Sequence, residues 1–254
     1  MRIDLNCDMG ESFGAWTMGL DAEVMGSITS ANVACGYHAG DPEVMRRTVR
    51  LARDHGVAVG AHPGLPDLAG FGRREMKVTA RELEDMVLYQ IGALAAIAGA
   101  EGVRMQHVKA HGALYNMSAR DAELAEAIAR AVAAFDTSLI LLGLPGSELI
   151  RAGEKAGLRT AAEGFADRAY EPDGSLASRQ KPGSVIHDPA TVITRAVRMV
   201  RDRGVEAIDG SWVGLEVDTI CTHGDTRGAH ELVRRLRAGF EADGVTVKPM
   251  AAPA

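Results

Sequence analysis

The sequence has few cysteine and aromatic residues. Its 254 residues include three cysteines, and aromatic residues make up 4% of the chain. The cysteines, Cys7, Cys35 and Cys221, are too few and too far apart for a disulfide framework, and none forms a CxxC pair. Each lies in an apolar, strand-like stretch, where a free thiol is usually buried. This use of cysteine favours a protein of the reducing cytoplasm.

Several functional signatures are also absent. The formal net charge is −6 with acidic and basic residues interspersed, which argues against nucleic-acid binding. The N-terminus has no signal-peptide core, and the longest apolar run, at 91–100, is too short to cross a membrane. The sequence contains no GxxxxGK[ST] or GxGxxG nucleotide loop, no HExxH metal motif and no GxSxG serine elbow. We therefore expect a protein that binds neither membranes nor nucleic acid.

What is present is a steady alternation of strand and helix signals. Asp41 before Pro42 predicts one helix start, and Thr79 with Glu82 predicts a capping box at another. Glycines that end helices recur at positions 56, 102, 157, 204 and 244, each followed by Val or Leu. The pattern predicts seven or eight parallel strands in one domain, 1–254. A barrel is favoured over a doubly wound open sheet because polar residues follow nearly every strand.

Two segments interrupt this alternation. Residues 164–186 form a long polar stretch, and a loop of this length inside a compact domain usually carries function. Residues 205–218 contain the dipeptide Asp209–Gly210, which is typical of tight hairpin turns. We therefore expect a functional loop at 164–186 and an inserted hairpin at 205–218.

Several predicted strands end on a histidine beside a glycine, in the stretches ANVACGYHAG (31–40), VAVGAHPG (57–64), MQHVKAHG (105–112) and DTICTHGD (218–225). Successive side chains of a strand point to opposite faces. Where the apolar side chains of a strand face the helices, the residues between them face into the barrel. Barrel enzymes have their active sites at the carboxyl ends of the strands. The inward set that reaches that end contains Asn6, Asp8, His38, His62, His107, Lys109, His111 and His223, with Asp225 just beyond.

Two chemistries are compatible with such a set. One is a divalent metal that activates water, for which oxygen and nitrogen ligands are offered by Asp8, His38, His62, His111 and His223. Alternatively, Asp and His move protons while Lys109, Arg168 or Arg179 binds an anion. Because the candidate ligands come from separate strand ends without a compact motif, we expect no tightly bound zinc. Whether any metal is needed stays open at this point.

The sequence resembles the LamB/YcsF family across almost its whole length. The resemblance is carried by the stretches DLNCDMGESFG (4–14), ANVACGYHAGDP (31–42), VGAHPGLPD (59–67), GFGRR (70–74), QHVKAHGALYN (106–116), EGFADRAYEPDGSLASR (163–179) and TICTHGD (219–225). It implies an irregular (β/α)7 TIM-like barrel of the glycoside hydrolase/deacetylase type. It also implies ATP-dependent opening of 5-oxo-L-proline (pyroglutamate) to L-glutamate together with partner subunits B and C, with Mg²⁺ as the counter-ion of ATP.

For that reaction we assign two groups of residues. The residues expected to be catalytic are Asp8, His38, His62, Lys109, His111 and His223; those expected to bind substrate are Asn6, Glu163, Arg168, Arg179 and Asp225. Two other functions remain open: a metal-dependent deacetylase or amidase that works without ATP, and a non-catalytic subunit that binds substrate for its partners. Whether ATP binds this chain or its partners is equally open.

Overall fold

The computed structural model describes residues 1–222 and 228–251. The strands in these residues are β1 (Arg2–Met9), β2 (Ser30–Ala34), β3 (Ala58–His62), β4 (Met105–Lys109), β5 (Ile140–Gly143), β6 (Arg159–Phe165), β7 (Gly204–Glu206), β8 (Trp212–Gly214), β9 (Thr219–Thr222) and β10 (Thr246–Val247). β1 to β6 and β9 pair in parallel, and β9 also pairs with β1, where Asp4 lies opposite Thr219. The seven strands thus close a barrel, which confirms the predicted (β/α)7 fold.

Helices surround this barrel. They are α1 (Asp21–Val24), α2 (Pro42–His55), α3 (Ala80–Ala100), α4 (Gly112–Ser118), α5 (Ala122–Phe135), α6 (Glu148–Lys155), α7 (Pro189–Arg201) and α8 (Ala229–Ala242). The side chain of Asp41 caps α2 by accepting hydrogen bonds from two backbone N–H groups, and Thr79 and Glu82 form the predicted capping box of α3. These caps satisfy backbone groups that a helix start otherwise leaves unpaired.

Helix α3 is long and apolar enough to cross a membrane by length and composition alone. That property is a weak indication, because core helices of other proteins share it. Leu83, Val87, Ile91 and Leu94 are fully buried, and the helix contacts α5 and β3. We therefore interpret α3 as part of the helical layer that covers the barrel.

The strands divide their side chains between two environments. Leu5 and Cys7 are buried in the apolar layer between barrel and helices, whereas Asn6 forms hydrogen bonds across the barrel interior. This is the division that strand parity predicts. The interior of the barrel consequently holds a network of polar side chains. On the β5 side, Ile140, Leu142, Ala161 and Met250 form a separate apolar cluster.

Two departures from the β/α alternation lie beside the barrel. Strands β7 and β8 pair antiparallel, with Glu206 opposite Trp212, and form a separate hairpin. The segment between β6 and α7 folds back on itself through bridges between Arg168 and Val185 and between Tyr170 and Leu176. All three cysteines are free and buried.

Candidate functional site at the carboxyl ends of the strands

The amino-terminal end of the barrel interior is closed by Asp4. Its carboxylate accepts hydrogen bonds from Thr29 Oγ1 (2.7 Å), Ser30 Oγ (2.6 Å) and Thr219 Oγ1 (2.5 Å). Burial raises the pKa of Asp4, although these hydrogen bonds oppose the shift. We call this group of four side chains the floor of the barrel. Its polar atoms are hydrogen-bonded within the protein.

Lys109 occupies the centre of the barrel. Its ammonium group lies 2.8 Å from Asp8 Oδ1, 2.9 Å from Glu163 Oε1 and 3.1 Å from Cys221 Sγ. Burial alone would lower the pKa of Lys109, but the neighbouring negative groups more than offset this and raise it well above its usual value. A buried charge needs such partners. Lys109 is therefore held as a cation between two carboxylates.

Asn6 and Asn32 connect this centre to the rest of the interior. The Asn6 amide donates to Glu163 Oε1 (3.0 Å) and to Thr219 Oγ1 (2.7 Å). The Asn32 amide donates to Asn6 Oδ1 (2.7 Å) and Asp8 Oδ1 (2.8 Å). These bonds orient Asp8 from below, so that its other carboxylate oxygen faces the histidines.

Three histidines meet next to Asp8. His62 Nε2 lies 3.3 Å from Asp8 Oδ2 and 2.9 Å from His111 Nδ1. The ring of His38 stacks on that of His111 with centroids 3.7 Å apart and meets the ring of His62 edge-on. All three side chains are at least 96% buried. In the described part of the chain, neither ring nitrogen of His38 has a hydrogen-bond partner.

Burial disfavours the charged form of two of these rings, those of His38 and His111. It lowers the pKa of His38 and of His111 well below the usual value, and the neighbouring histidines lower it further. His107, deeper in the barrel, has its pKa lowered to about 3, first by burial and then by Lys109. His38, His107 and His111 are therefore neutral near pH 7. Neutral imidazole can accept a proton or ligate a metal.

Glu11 is a member of this cluster that sequence reasoning missed. Its carboxylate and one nitrogen each from His38, His62 and His111 all lie within 4.8 Å of one another. Glu11 follows the end of β1, after Gly10 turns the chain with a φ of 68°. The alternation of side chains that identifies inward positions in a strand does not extend past this turn. The available signal was its place in the motif DLNCDMGESFG, three residues after Asp8.

The glycines next to the histidines make room for imidazole rings. A Cβ atom at Gly60 would lie 2.1 Å from His107 Nε2, and one at Gly64 would lie 2.5 Å from His38 Nδ1. A Cβ atom at Gly72 would lie 2.8 Å from the ring of His111. Real Cβ atoms do not approach this closely, so the positions of these imidazole rings require glycine at Gly60, Gly64 and Gly72.

A cavity of about 850 Å³ opens above these groups. Its lining combines residues from the strand ends with the segment between β6 and α7, including Arg168 and Arg179. Arg168 donates to the carbonyl oxygens of Ala177 (2.6 Å) and Ser184 (3.3 Å), which fixes its guanidinium at the cavity wall. Burial, together with the charge of Arg179, lowers the pKa of Arg168 to about 10, so it remains a cation. The cavity is suited to an anionic small molecule.

The structure brings most of the residues predicted from the sequence together. Some of them line the cavity, and others are buried beneath it. Those that line the cavity are Asp8, His62, Lys109, His111, Arg168 and Arg179. His38, Asn6 and Glu163 are fully buried beneath it, and the last two contact Lys109, which lines the cavity. His223 and Asp225 lie outside the described residues.

A closed parallel β/α barrel with acids, histidines and a lysine at the carboxyl ends of its strands has the architecture of a barrel enzyme. The family profile described as "LamB/YcsF family" matches residues 3–254. The chain therefore belongs to the LamB/YcsF family, as its motifs indicated.

Similar proteins cover nearly the whole chain. A relative from Tolumonas auensis, named as the A subunit of 5-oxoprolinase, is 55% identical over 249 residues, which is 98% of this chain and 99% of the relative. One of the same name from Pyrococcus abyssi is 56% identical over 250 residues, or 98% of both chains. The crystal structure of the lactam utilization protein from Thermus thermophilus superposes with a TM-score of 0.93 at 51% identity, covering 98% of this chain and 99% of that one.

Proposed function

We propose that this chain is the A subunit of an ATP-dependent 5-oxoprolinase, which opens the lactam of 5-oxo-L-proline to L-glutamate together with subunits B and C. The observation that carries the proposal is the Lys109–Asp8 pair below a cationic cavity, in a chain 55% identical to a relative named as the A subunit of 5-oxoprolinase. The buried free thiols agree with an enzyme of the cytoplasm.

The cavity offers a separate group for each part of such a substrate. Arg168 and Arg179 are positioned to bind the carboxylate of 5-oxo-L-proline at the wall. The amide then faces Lys109 and Asp8, whose charged atoms are 2.8 Å apart. Lys109 would stabilise negative charge on the amide oxygen, and Asp8 or His62 would take the proton of the attacking water.

The coupling to ATP follows from the stability of the amide. In the proposed sequence the amide oxygen takes the γ-phosphoryl group of ATP and releases ADP. Water then adds to the ring carbon, the C–N bond breaks as the nitrogen takes up a proton, and an acyl phosphate forms. A second water releases glutamate and phosphate. Mg²⁺ would accompany ATP, and partner subunits would supply nucleotide binding, because this sequence has no phosphate-binding glycine loop.

The proposal is tested by reconstitution. The chain is assayed alone and with subunits B and C, and glutamate and ADP are measured in each mixture with and without ATP. We expect glutamate only in the complete, ATP-containing mixture. ATP-driven glutamate formation by the lone chain would contradict the requirement for partners, and glutamate formation without ATP would favour a metal-dependent amidase instead.

A matched pair of lysine variants locates the reaction. Lys109→Met removes the buried cation, whereas Lys155→Met removes an exposed lysine of α6 that pairs with Glu126. We expect the complete system to lose activity with Lys109→Met and to keep it with Lys155→Met. Full activity of a folded Lys109→Met variant would instead favour a subunit that only binds substrate for its partners.

A further inference from the structure

The hydrogen bonds of His62 and His111 define which nitrogen of each ring carries the hydrogen. His62 Nδ1 lies 2.8 Å from the carbonyl oxygen of Lys109, and His111 Nε2 lies 2.8 Å from the carbonyl oxygen of Phe71. A carbonyl oxygen can only accept a hydrogen bond, so these two nitrogens are the N–H donors. In neutral rings, His62 Nε2 and His111 Nδ1 are therefore unprotonated.

These two unprotonated nitrogens face each other. They are 2.9 Å apart, and Asp8 Oδ2 is 3.3 Å from His62 Nε2. Two nitrogen lone pairs are directed at each other, and among the residues that the structure describes such a pair is stable only when a positive species joins the nitrogens. That species is either a proton on one of the rings or a metal ion.

Three further features favour a metal ion. Histidine ligands of metals usually donate their second ring N–H to a carbonyl or carboxylate, as His62 and His111 do. His38 is fully buried against them, with both ring nitrogens unpartnered in the described part of the chain. The Glu11 carboxylate completes a set of four possible ligand atoms within 4.8 Å of one another.

The geometry points to a binding site for a divalent transition metal between His62, His111, His38 and Glu11. Imidazole and carboxylate ligands together suit Zn²⁺, Co²⁺ and related ions. Asp8 adjoins this site without being one of the four ligands. This inference concerns binding and does not depend on the reaction proposed above.

The spacing of the nitrogens indicates an exchangeable ion. Two nitrogens on a tetrahedral zinc at about 2.05 Å are about 3.3 Å apart, whereas His62 Nε2 and His111 Nδ1 are 2.9 Å apart. The rings must separate by a few tenths of an ångström, against the packing at Gly72, when the ion enters. The expectation of no tightly bound zinc after purification therefore remains a prediction alongside this one.

The test is metal binding by the tag-free chain after dialysis against a chelator. Co²⁺ is titrated while its visible absorption is recorded, and Zn²⁺ is titrated by calorimetry. We expect saturation at one ion per chain, with cobalt bands of a low-symmetry site that Zn²⁺ displaces. His62→Ala and His111→Ala should weaken binding by at least about 10-fold, whereas His55→Ala, an exposed histidine of α2, should leave it unchanged.

Two controls keep the result decisive. Thermal unfolding of each variant shows whether it is folded, and Glu11→Gln offers a conservative change at the edge of the cluster that should also weaken binding. Absence of cobalt bands in the parent chain would mean that a proton joins the two rings, and this would overturn the proposal. Equal binding by the parent and by folded His62→Ala would place the ion elsewhere and would also overturn it.

Discussion

At the floor of the barrel, the carboxylate of Asp4 accepts hydrogen bonds from three hydroxyl groups. At the mouth, by which we mean the cluster of Asp8, Glu11, His38, His62 and His111, two unprotonated nitrogens of His62 and His111 face each other. Both regions are buried and polar. They differ in whether residues 1–222 and 228–251 supply complementary donors and acceptors. A satisfied network stabilises the fold, and one that is left incomplete stabilises a ligand or a reacting group. We therefore assign structure to the floor and chemistry to the mouth.

The strongest test of this division is at the mouth. On the proposed function, His62→Ala should lower glutamate formation by the complex with subunits B and C by roughly 100- to 10,000-fold, as expected for a lost proton-transfer or ligand group. Asp8→Ala should have a similar effect. The exposed His55→Ala is the matched control and should keep full activity.

Stability distinguishes this result from unfolding. His62→Ala should lower the midpoint of thermal unfolding less than Leu94→Ala, which removes a fully buried core side chain at a cost of about 2–5 kcal/mol. If both His62→Ala and Asp8→Ala formed glutamate at the parent rate, the mouth would not be the site of the reaction.

The floor should show the opposite behaviour. Asp4→Ala leaves the hydroxyls of Thr29, Ser30 and Thr219 without their acceptor, and hydrogen bonds to a carboxylate contribute about 1.5–3 kcal/mol each. Part of this loss is offset because a buried carboxylate no longer has to be desolvated. We expect the free energy of unfolding in urea to fall by about 2–4 kcal/mol. The variant that folds should keep the KM of the parent for 5-oxo-L-proline, and a large rise in KM would mean that the floor takes part in substrate binding.

Strand parity accounts for how much of the site the sequence could predict. Asn6, Asp8 and Lys109 lie within regular strands, where alternation of side chains assigns the inward face, and the structure places all three inside the barrel. The alternation of side chains along a strand does not show how far an inward residue lies from the cavity. For this reason the sequence could not distinguish Asn6 and Glu163, which are beneath the cavity, from residues that line it.

The rest of the cluster depends on turns, where parity does not apply. Strand β2 ends at Ala34, and Gly36 has a φ of 95°, so His38 reaches the cluster through a turn and not as the next inward residue of the strand. Glu11 likewise follows the turn at Gly10. The directions of these turns, and hence the meeting of Glu11 with His38, result from packing between segments distant in sequence.

Gly60 and His107 lie between the floor and the mouth. The variant Gly60→Ala tests whether the barrel can accommodate a larger side chain at this position. A Cβ atom at Gly60 would lie 2.1 Å from His107 Nε2, and that ring is fully buried and bonded to Asn32 Oδ1 at 2.8 Å. Gly60→Ala must therefore displace the ring or the strand, and overpacking of this kind costs about 1–3 kcal/mol. The matched control is Gly92→Ala in α3, where a Cβ atom meets nothing within 4 Å and alanine should stabilise the helix by about 0.5–1 kcal/mol. Urea unfolding of both variants measures the two effects. Equal stability of Gly60→Ala and the parent would show that the ring of His107 can move without cost, and the tightly packed part of the barrel interior would then end below Gly60.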